Sequence, residues 1–267
     1  MTRQTGMFVA AALVSALGNG GAAAQSLAQR VSAAGDGHLQ VRFASRPGVC
    51  GDGREMISGG AHSYLRGTWS SDDDANWRRV CAPGPVRVVL WTVHGSVDRV
   101  RVSIGGNDTG ATVHDLGTVS APEAAAYMLD LARDASGRVS DDAVLAAVLA
   151  DSATPWPGLL SLARDARSHD TRQNAAFWLG MAAAASVNGG SLFGDDDRPD
   201  ETTDEELRGQ AIFALSQQPH DESVPALIRV ARSNTDPVLR GKALFWLSQS
   251  GDSRALDLFG QILNAQR

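Results

Sequence analysis

The sequence predicts a mainly α-helical protein, with a C-terminal α-solenoid preceded by a small, disulfide-stapled β-rich domain. Three segments of the C-terminal half align without gaps, which indicates stacked helical repeats. Short runs of alternating apolar and polar residues fill the first half, which indicates strands. We divide the 267 residues into a signal peptide (1–24), a flexible lead (25–37), the β-rich domain (38–118) and the helical repeats (120–267), which include an acidic loop (186–203).

The first 24 residues have the three parts of a secretory signal peptide. Arg3 supplies a positive start, Met7 to Leu17 form a short apolar run, and Ala22 to Ala24 offer small residues for cleavage. The apolar run is too short to span a bilayer comfortably. We expect cleavage after Ala24, a periplasmic or secreted protein, and no stable membrane insertion afterwards. A disordered or membrane-tethered start is the alternative.

The two cysteines, Cys50 and Cys81, both lie in the first half of the chain. Because an exported protein meets an oxidising compartment, an isolated pair of this kind predicts one disulfide. A redox or metal-binding pair is the weaker alternative, since neither cysteine lies in a CxxC motif and no cluster of histidines accompanies them.

Three runs in the first half have the alternation of half-buried strands: His38–Phe43, Val86–Val93 and Val97–Ile104. The residues between the last two, His94 to Ser96, are turn material, so these two runs predict an antiparallel hairpin. Helical patterning begins at Ser120, which has Glu123 at capping-box spacing. Ser140 is a second predicted N-cap.

The repeat is defined by one nine-residue motif. Each copy has Arg, then Ala three, Phe five and Leu seven residues later, and the offsets between copies are 36 and 32 residues: Arg172–Gly180, Arg208–Ser216 and Arg240–Ser248. Four residues before each Arg stands a residue suited to an N-cap: Ser168, Asp204 and Asp236. We name the helices with this motif B helices.

A second kind of helix alternates with the first, and we name it the A helix. Leu159–Arg164 matches Leu227–Arg232, and Ala255–Leu263 resembles both. Each helix has one apolar stripe, which it can bury only by stacking on neighbours. One departure stands out: between Ala185 and Asp204 we expect the A helix to be missing or shrunken, because Gly- and Asp-rich loop residues take its place.

These repeats resemble short bacterial HEAT repeats of the type first associated with phycobilisome lyases. The resemblance covers residues 120–267, with 121–151 as a divergent leading repeat. Together with the signal peptide and the cysteine pair, it resembles exported HEAT-repeat proteins of environmental bacteria. It implies a non-catalytic scaffold that binds a protein partner. The alternatives are an enzyme related by fold to phycobilin lyases and a self-associating structural protein of the envelope.

Two sets of residues are candidates for partner binding. The first is the recurring arginines Arg172, Arg208 and Arg240, which could grip an acidic partner. Alternatively, each pairs with an Asp of the preceding repeat and holds the repeats together. The second set is Trp178 and Trp246, as interface aromatics or as core. The neighbouring Phe177, Phe213 and Phe245 share a stripe with Ala and Leu, which predicts core positions.

The sequence predicts no catalytic residue, no metal site and no cofactor, because the patterns of zinc, nucleotide and hydrolase sites are missing. The acidic runs Asp72–Asp74 and Asp195–Asp197 lack calcium-loop spacing and read as solvated charge. A net charge of −6 without a basic face argues against nucleic acid. The last A helix has no B helix after it, so its stripe predicts a possible homodimer: Leu256, Phe259, Ile262 and Leu263.

Overall fold

The computed structural model describes residues 25–54, 57–59, 62–65, 81–105, 112–187, 192 and 203–265. The predicted signal peptide, both acidic triplets and most of the predicted acidic loop lie outside these residues. The strands are β1 (Gly37–Phe43), β2 (Val49–Gly51), β3 (Ile57–Gly59), β4 (His62–Leu65), β5 (Val86–Val93), β6 (Ser96–Ile104) and β7 (His114–Thr118). The helices are α1 (Leu27–Ala34), α2 (Ala121–Asp134), α3 (Gly137–Leu149), α4 (Trp156–Asp165), α5 (His169–Val187), α6 (Thr203–Ser216), α7 (His220–Ser233), α8 (Pro237–Gln249) and α9 (Ser253–Asn264).

The prediction of a flexible lead at 25–37 is wrong, because α1 forms there. Ser26 and Gln29 make a reciprocal capping box, which satisfies two backbone N–H groups at the start of the helix. Leu27 and Val31 are buried, and the Leu27 backbone N–H donates to Glu123 Oε1 at 2.6 Å. The segment is small and polar on average, yet its cap and two apolar residues are enough to dock it on α2.

The three predicted strands are confirmed as β1, β5 and β6. Together with β7 they form a four-stranded sheet in the order β6-β5-β1-β7. β5 and β6 make the predicted hairpin, and its two turn residues, His94 and Gly95, have φ values of 51° and 75°. The carboxylate of Asp36 accepts hydrogen bonds from both of their backbone N–H groups, which lowers its pKa. β7 pairs with β1 in parallel, and β2, β3 and β4 form a second, smaller sheet.

The predicted Cys50–Cys81 disulfide is confirmed, with 5.2 Å between the two Cα atoms. It joins β2 to the segment before β5, where the Gly51 and Ala82 backbones also exchange hydrogen bonds. The bond therefore ties the small sheet to the segment that leads into β5, an inner strand of the larger sheet.

The sheet and the helices share one hydrophobic core, because α3 packs against β5 and β6. Arg46, which follows β1, reinforces this contact. Its guanidinium donates to the carbonyls of Val148 and Ala153 at 2.7 Å each, at the C-terminal end of α3, and lies 5.3 Å from the Trp156 ring centre. Burial lowers the pKa of Arg46. The core therefore continues from the sheet into the helices across the change of secondary structure near residue 120.

The helix pairs stack, but not in chain order. The A helices are α2, α4, α7 and α9, and the B helices are α3, α5, α6 and α8. The pair α2/α3 packs on α4/α5, as expected for successive repeats. The next neighbours of α4/α5 are α9 and α8, and α5 with α8 is the most extensive helix contact in the described chain. α8 keeps an extensive contact with α7, the A helix that precedes it, and α6 packs on α8 and α7. The expectation that each pair covers the next one along the chain is wrong in this half.

In the described residues, no A helix lies between α5 and α6. The A helix that packs on α4 and α5 is α9. Its predicted free stripe is accordingly buried: Leu256, Phe259 and Leu263 are at most 8% exposed. Three of the four stripe residues therefore belong to the core, Ile262 is half-buried, and the homodimer stays a prediction.

Two predicted caps differ from the structure. Ser140 lies inside α3 and is buried, where its hydroxyl is 2.9 Å from the Thr171 hydroxyl of α5. Asp204 lies inside α6, which begins at Thr203. Asp236 is an N-cap as predicted and accepts from the Val238 N–H at 2.8 Å. Ser168 and Ser120 likewise accept from N–H groups of the first turns they precede.

Candidate interaction groove

A groove of about 620 Å³ runs across the B helices α3, α5 and α8. α3 and α5 form its walls, and the C-terminal end of α8 contributes Ser248 and Gln249. Because B helices of neighbouring pairs stand side by side, one face of each helix is turned toward this common surface. The stacking of the array therefore creates the groove.

The α3 wall consists of residues at helical spacing i, i+3, i+4 and i+7: Arg138, Asp141, Asp142 and Leu145. Leu145 and Asp142 are buried, whereas Arg138 is exposed at the rim. The carboxylate of Asp141 accepts a hydrogen bond from the Asn174 side-chain amide at 3.0 Å. This bond joins the two walls and fixes the position of one acidic group.

The α5 wall follows the same rule over two turns and contributes Asp170, Gln173, Asn174, Phe177 and Trp178. Its residues change in character along the helix. The first turn offers a carboxylate and two amides, and the next turn offers two aromatic rings. With the α3 wall, the described lining holds three carboxylates and one guanidinium, a formal charge of −2. The groove is thus acidic at one end and aromatic at the other.

The aromatic end continues as a row of five rings across three B helices. Trp178 and Phe177 of α5 have ring centres 5.3 Å apart, and Phe177 meets Phe245 of α8 edge-on at 6.5 Å. Trp246 of α8 then lies 5.1 Å from Phe245 and 5.0 Å from Phe213 of α6. We call these five residues the aromatic row. Edge-to-face contacts of this kind stabilise aromatic neighbours beyond their buried area.

Exposure rises along the aromatic row. Trp178 is 5% exposed, Phe177, Phe245 and Trp246 are half-buried, and Phe213 is 46% exposed. The prediction that the three phenylalanines are core residues is therefore wrong at Phe213. The reason is the position of α6, whose neighbours among the described helices are α7 and α8. Leu207 of the same helix is also 58% exposed.

The two tryptophans that we predicted as contact residues lie in different surroundings. Trp178 lines the groove but is buried, so its surroundings match the core prediction and not the interface prediction. Trp246 is half-buried and lies in the aromatic row. The structure brings both residues to the same side of the array, joined through Phe177 and Phe245.

The recurring arginines bind backbone of their own repeat. Arg172 donates to the carbonyls of Ala166 and Arg167 at 2.6 and 3.1 Å, and Arg240 donates to those of Asn234 and Thr235 at 2.8 and 3.3 Å. Ala166 and Asn234 are the C-caps of α4 and α7, so each arginine satisfies carbonyls at the end of an A helix.

Arg240 also donates to the carbonyl of Val187 at 3.0 Å, the last residue of α5, and so bridges two pairs. Arg208, the equivalent arginine of α6, is exposed.

Three arginines of the A helices connect neighbouring helices through contacts with other side chains. Arg133 of α2 donates to the Ser161 hydroxyl of α4 at 3.2 Å, and Arg164 of α4 contacts Asp257 of α9 at 2.7 Å. Arg232 of α7 donates to Gln261 of α9 at 2.8 Å. Their common sequence signal is that each follows Ala in the last turn of its helix.

Comparison with known families supports the repeat assignment. The family model of HEAT repeats matches residues 200–267, which contain α6 to α9. Searches of curated proteins and of solved structures returned no match. In the described residues, no helix is both long and apolar enough to cross a membrane.

Proposed function

We propose that this protein is an exported, non-catalytic scaffold that binds a protein partner through the groove of its HEAT-like array. The observation that carries the proposal is the shape of the B-helix surface, where three helices form one groove with an exposed aromatic continuation. Aromatic rings beside polar groups in a concave surface are typical of protein interfaces. HEAT repeats, which match the last quarter of the chain, are consistent with this role.

Two features support export. The disulfide is a bond that persists in oxidising compartments. In addition, the capping box of α1 begins at Ser26, directly after the first residue that cleavage at Ala24 would leave. Cleavage there would keep every described hydrogen bond of α1. We expect Gln25 as the N-terminal residue when the full chain is expressed in a Gram-negative host, fractionated and sequenced; a cytoplasmic, uncleaved protein would contradict export.

The test of the binding role uses the mature chain as bait in envelope extracts, with mass spectrometry of the captured proteins. The groove variant is Asp170→Arg/Gln173→Arg, which alters two exposed residues of the α5 wall. The matched control is Asp130→Arg/Asp165→Arg, on exposed positions of α2 and α4 that do not line the groove. We expect one set of proteins to be retained by wild type and control and lost with the groove variant. Identical capture by all three would contradict the proposal.

Two measurements separate the proposal from its alternatives. A self-associating structural protein would show a mass above that of one chain in light scattering at every concentration, with the groove variant unchanged. An enzyme related to the bilin lyases would bind a tetrapyrrole, which is visible as a change in bilin absorbance. A scaffold gives neither signal and retains its groove-dependent partner.

A further inference from the structure

We propose that the groove binds an extended polypeptide segment that carries lysine or arginine side chains, which enter the acidic end while apolar side chains follow along the aromatic row. This inference rests on the proposed function and specifies the chemistry of the partner. It depends on three properties of the surface: its charge, its amide groups and its length.

The charge of the groove selects for cations. Among the described lining residues are three carboxylates, Asp141, Asp142 and Asp170, and one cation, Arg138. A carboxylate that is partly removed from water interacts more strongly with an incoming ammonium or guanidinium than an exposed one does. The adjacent face of Phe177 can accept the same cation or its methylene groups. An acidic segment or a nucleic acid would meet repulsion here.

The amide groups suit a peptide backbone. Gln173 and Gln249 are exposed at the groove, on α5 and α8, and Asn174 lies between them and Asp141. A side-chain amide can donate and accept at once, which matches the N–H and C=O groups of an extended chain. A small polyamine lacks backbone carbonyls and offers no acceptor to the exposed amide of Gln173.

The length of the surface favours a segment over a single side chain. The groove and the aromatic row together cross four B helices in the order α3, α5, α8 and α6. With 8–10 Å between neighbouring helix axes, this path is about 27 Å long. An extended chain advances about 3.3 Å per residue, so about eight residues would cover it. The cations would occupy the α3–α5 end, and the exposed ring of Phe213 would contact the other end of the segment.

The experiment is selection of peptides from a phage library of random ten-residue sequences on the immobilised mature protein. We expect the selected sequences to be enriched in Lys and Arg at one end and in aromatic or aliphatic residues at the other. Binding of one selected peptide, measured by fluorescence anisotropy, should weaken as salt is raised, because salt screens the charge pairs.

Two isosteric variants test the role of charge. Asp141→Asn/Asp170→Asn keeps the shape of the groove, and we expect about tenfold weaker binding of the selected peptide and a reduced salt dependence. Asp130→Asn/Asp165→Asn, outside the groove, should leave both unchanged. Phe213→Ala should weaken binding about threefold without altering the salt dependence. Circular dichroism confirms that each variant is folded.

The outcomes separate this inference from the proposed function. Selected peptides without a preference for cations, but sensitive to the groove variants, would overturn the inference and leave the scaffold role intact. Binding of spermidine in place of peptides would overturn the inference as well. Peptides that bind equally well to all variants would place binding outside the groove and would contradict both.

Discussion

In the first half of the array, α2/α3 packs on α4/α5 in the order of the chain, whereas in the second half α8 and α9 pack on α5 and α4, and α6 packs on α8. Both halves consist of helices that bury an apolar stripe. In the described residues, an A helix directly precedes α5, but none lies between α5 and α6. The helices that cover α4 and α5 on this side are α9 and α8. The comparison teaches that helices of this kind need not pack on the next helix along the chain.

The close approach of α5 and α8 shows how well these two helices fit. Gly180 of α5 faces Ser248 and the Leu244 carbonyl of α8, and a Cβ at Gly180 would collide with the Ser248 side chain. Gly180 and Ser248 occupy equivalent positions of the repeat motif. Because Gly180 has no side chain, α8 can bring Ser248 into contact with α5 at this position. The following predictions test this order of helices, from the largest effect to the smallest.

The largest effect is expected from Phe259→Ala in α9. Phe259 is fully buried, so its truncation should lower the free energy of unfolding by about 4 kcal/mol. Phe213→Ala in α6 is the control, because that ring is 46% exposed and its loss should cost less than about 1.5 kcal/mol. Urea denaturation measures both. Similar costs for the two variants would contradict the packing of α9 on α4 and α5.

Gly180→Val tests the contact of α5 with α8 directly. The added side chain would overlap Ser248 and approach a backbone carbonyl that cannot move freely, so we expect a loss of about 2–3 kcal/mol. Gly209→Val in α6 meets the flexible end of Lys242 and should cost less than about 1 kcal/mol. Thermal unfolding of the two variants compares them. Equal destabilisation would mean that α8 does not pack on α5 at this position.

Arg240→Ala should destabilise the protein by about 1 kcal/mol more than Arg172→Ala. Both arginines satisfy carbonyls at the end of the preceding A helix, but Arg240 also bonds to the Val187 carbonyl of α5. That third bond exists only where α8 adjoins α5. Chemical denaturation of the two single variants gives the difference, and Arg172→Ala serves as the control within the same repeat motif. Equal destabilisation by Arg240→Ala and Arg172→Ala would contradict the contact between Arg240 and Val187.

The smallest effect is the coupling of Arg164 with Asp257, which joins α4 to α9. Both side chains are largely exposed, so a double-mutant cycle with alanine should give about 0.5 kcal/mol. Because the pair is exposed, the coupling should fall further in 1 M salt. Arg164 with Asp165, its neighbour in sequence on the same helix, provides a control cycle within α4. Absence of coupling at low salt would speak against the packing of α4 on α9.

Much of the fold could be predicted from local patterns. The strands β1, β5 and β6, the hairpin turn and the disulfide follow from alternation, turn residues and the number of cysteines. α1 was missed, although Ser26 and Gln29 form a capping box that is visible in the sequence. The groove walls were also readable, since Arg138 to Leu145 and Asp170 to Trp178 each place polar and aromatic residues on one face at helical spacing. The sequence does not show that these two faces meet in one groove.

The sequence by itself determined the pieces: which segments are helices or strands, where they are capped, and which stripe each helix must bury. Only the tertiary structure decided which stripes meet. The physical reason is that these stripes are built from the same few residues, Ala, Leu and Phe, and are therefore nearly interchangeable. The choice between neighbours depends on the total area buried and on a close fit such as that of Gly180 with Ser248, which no local pattern contains.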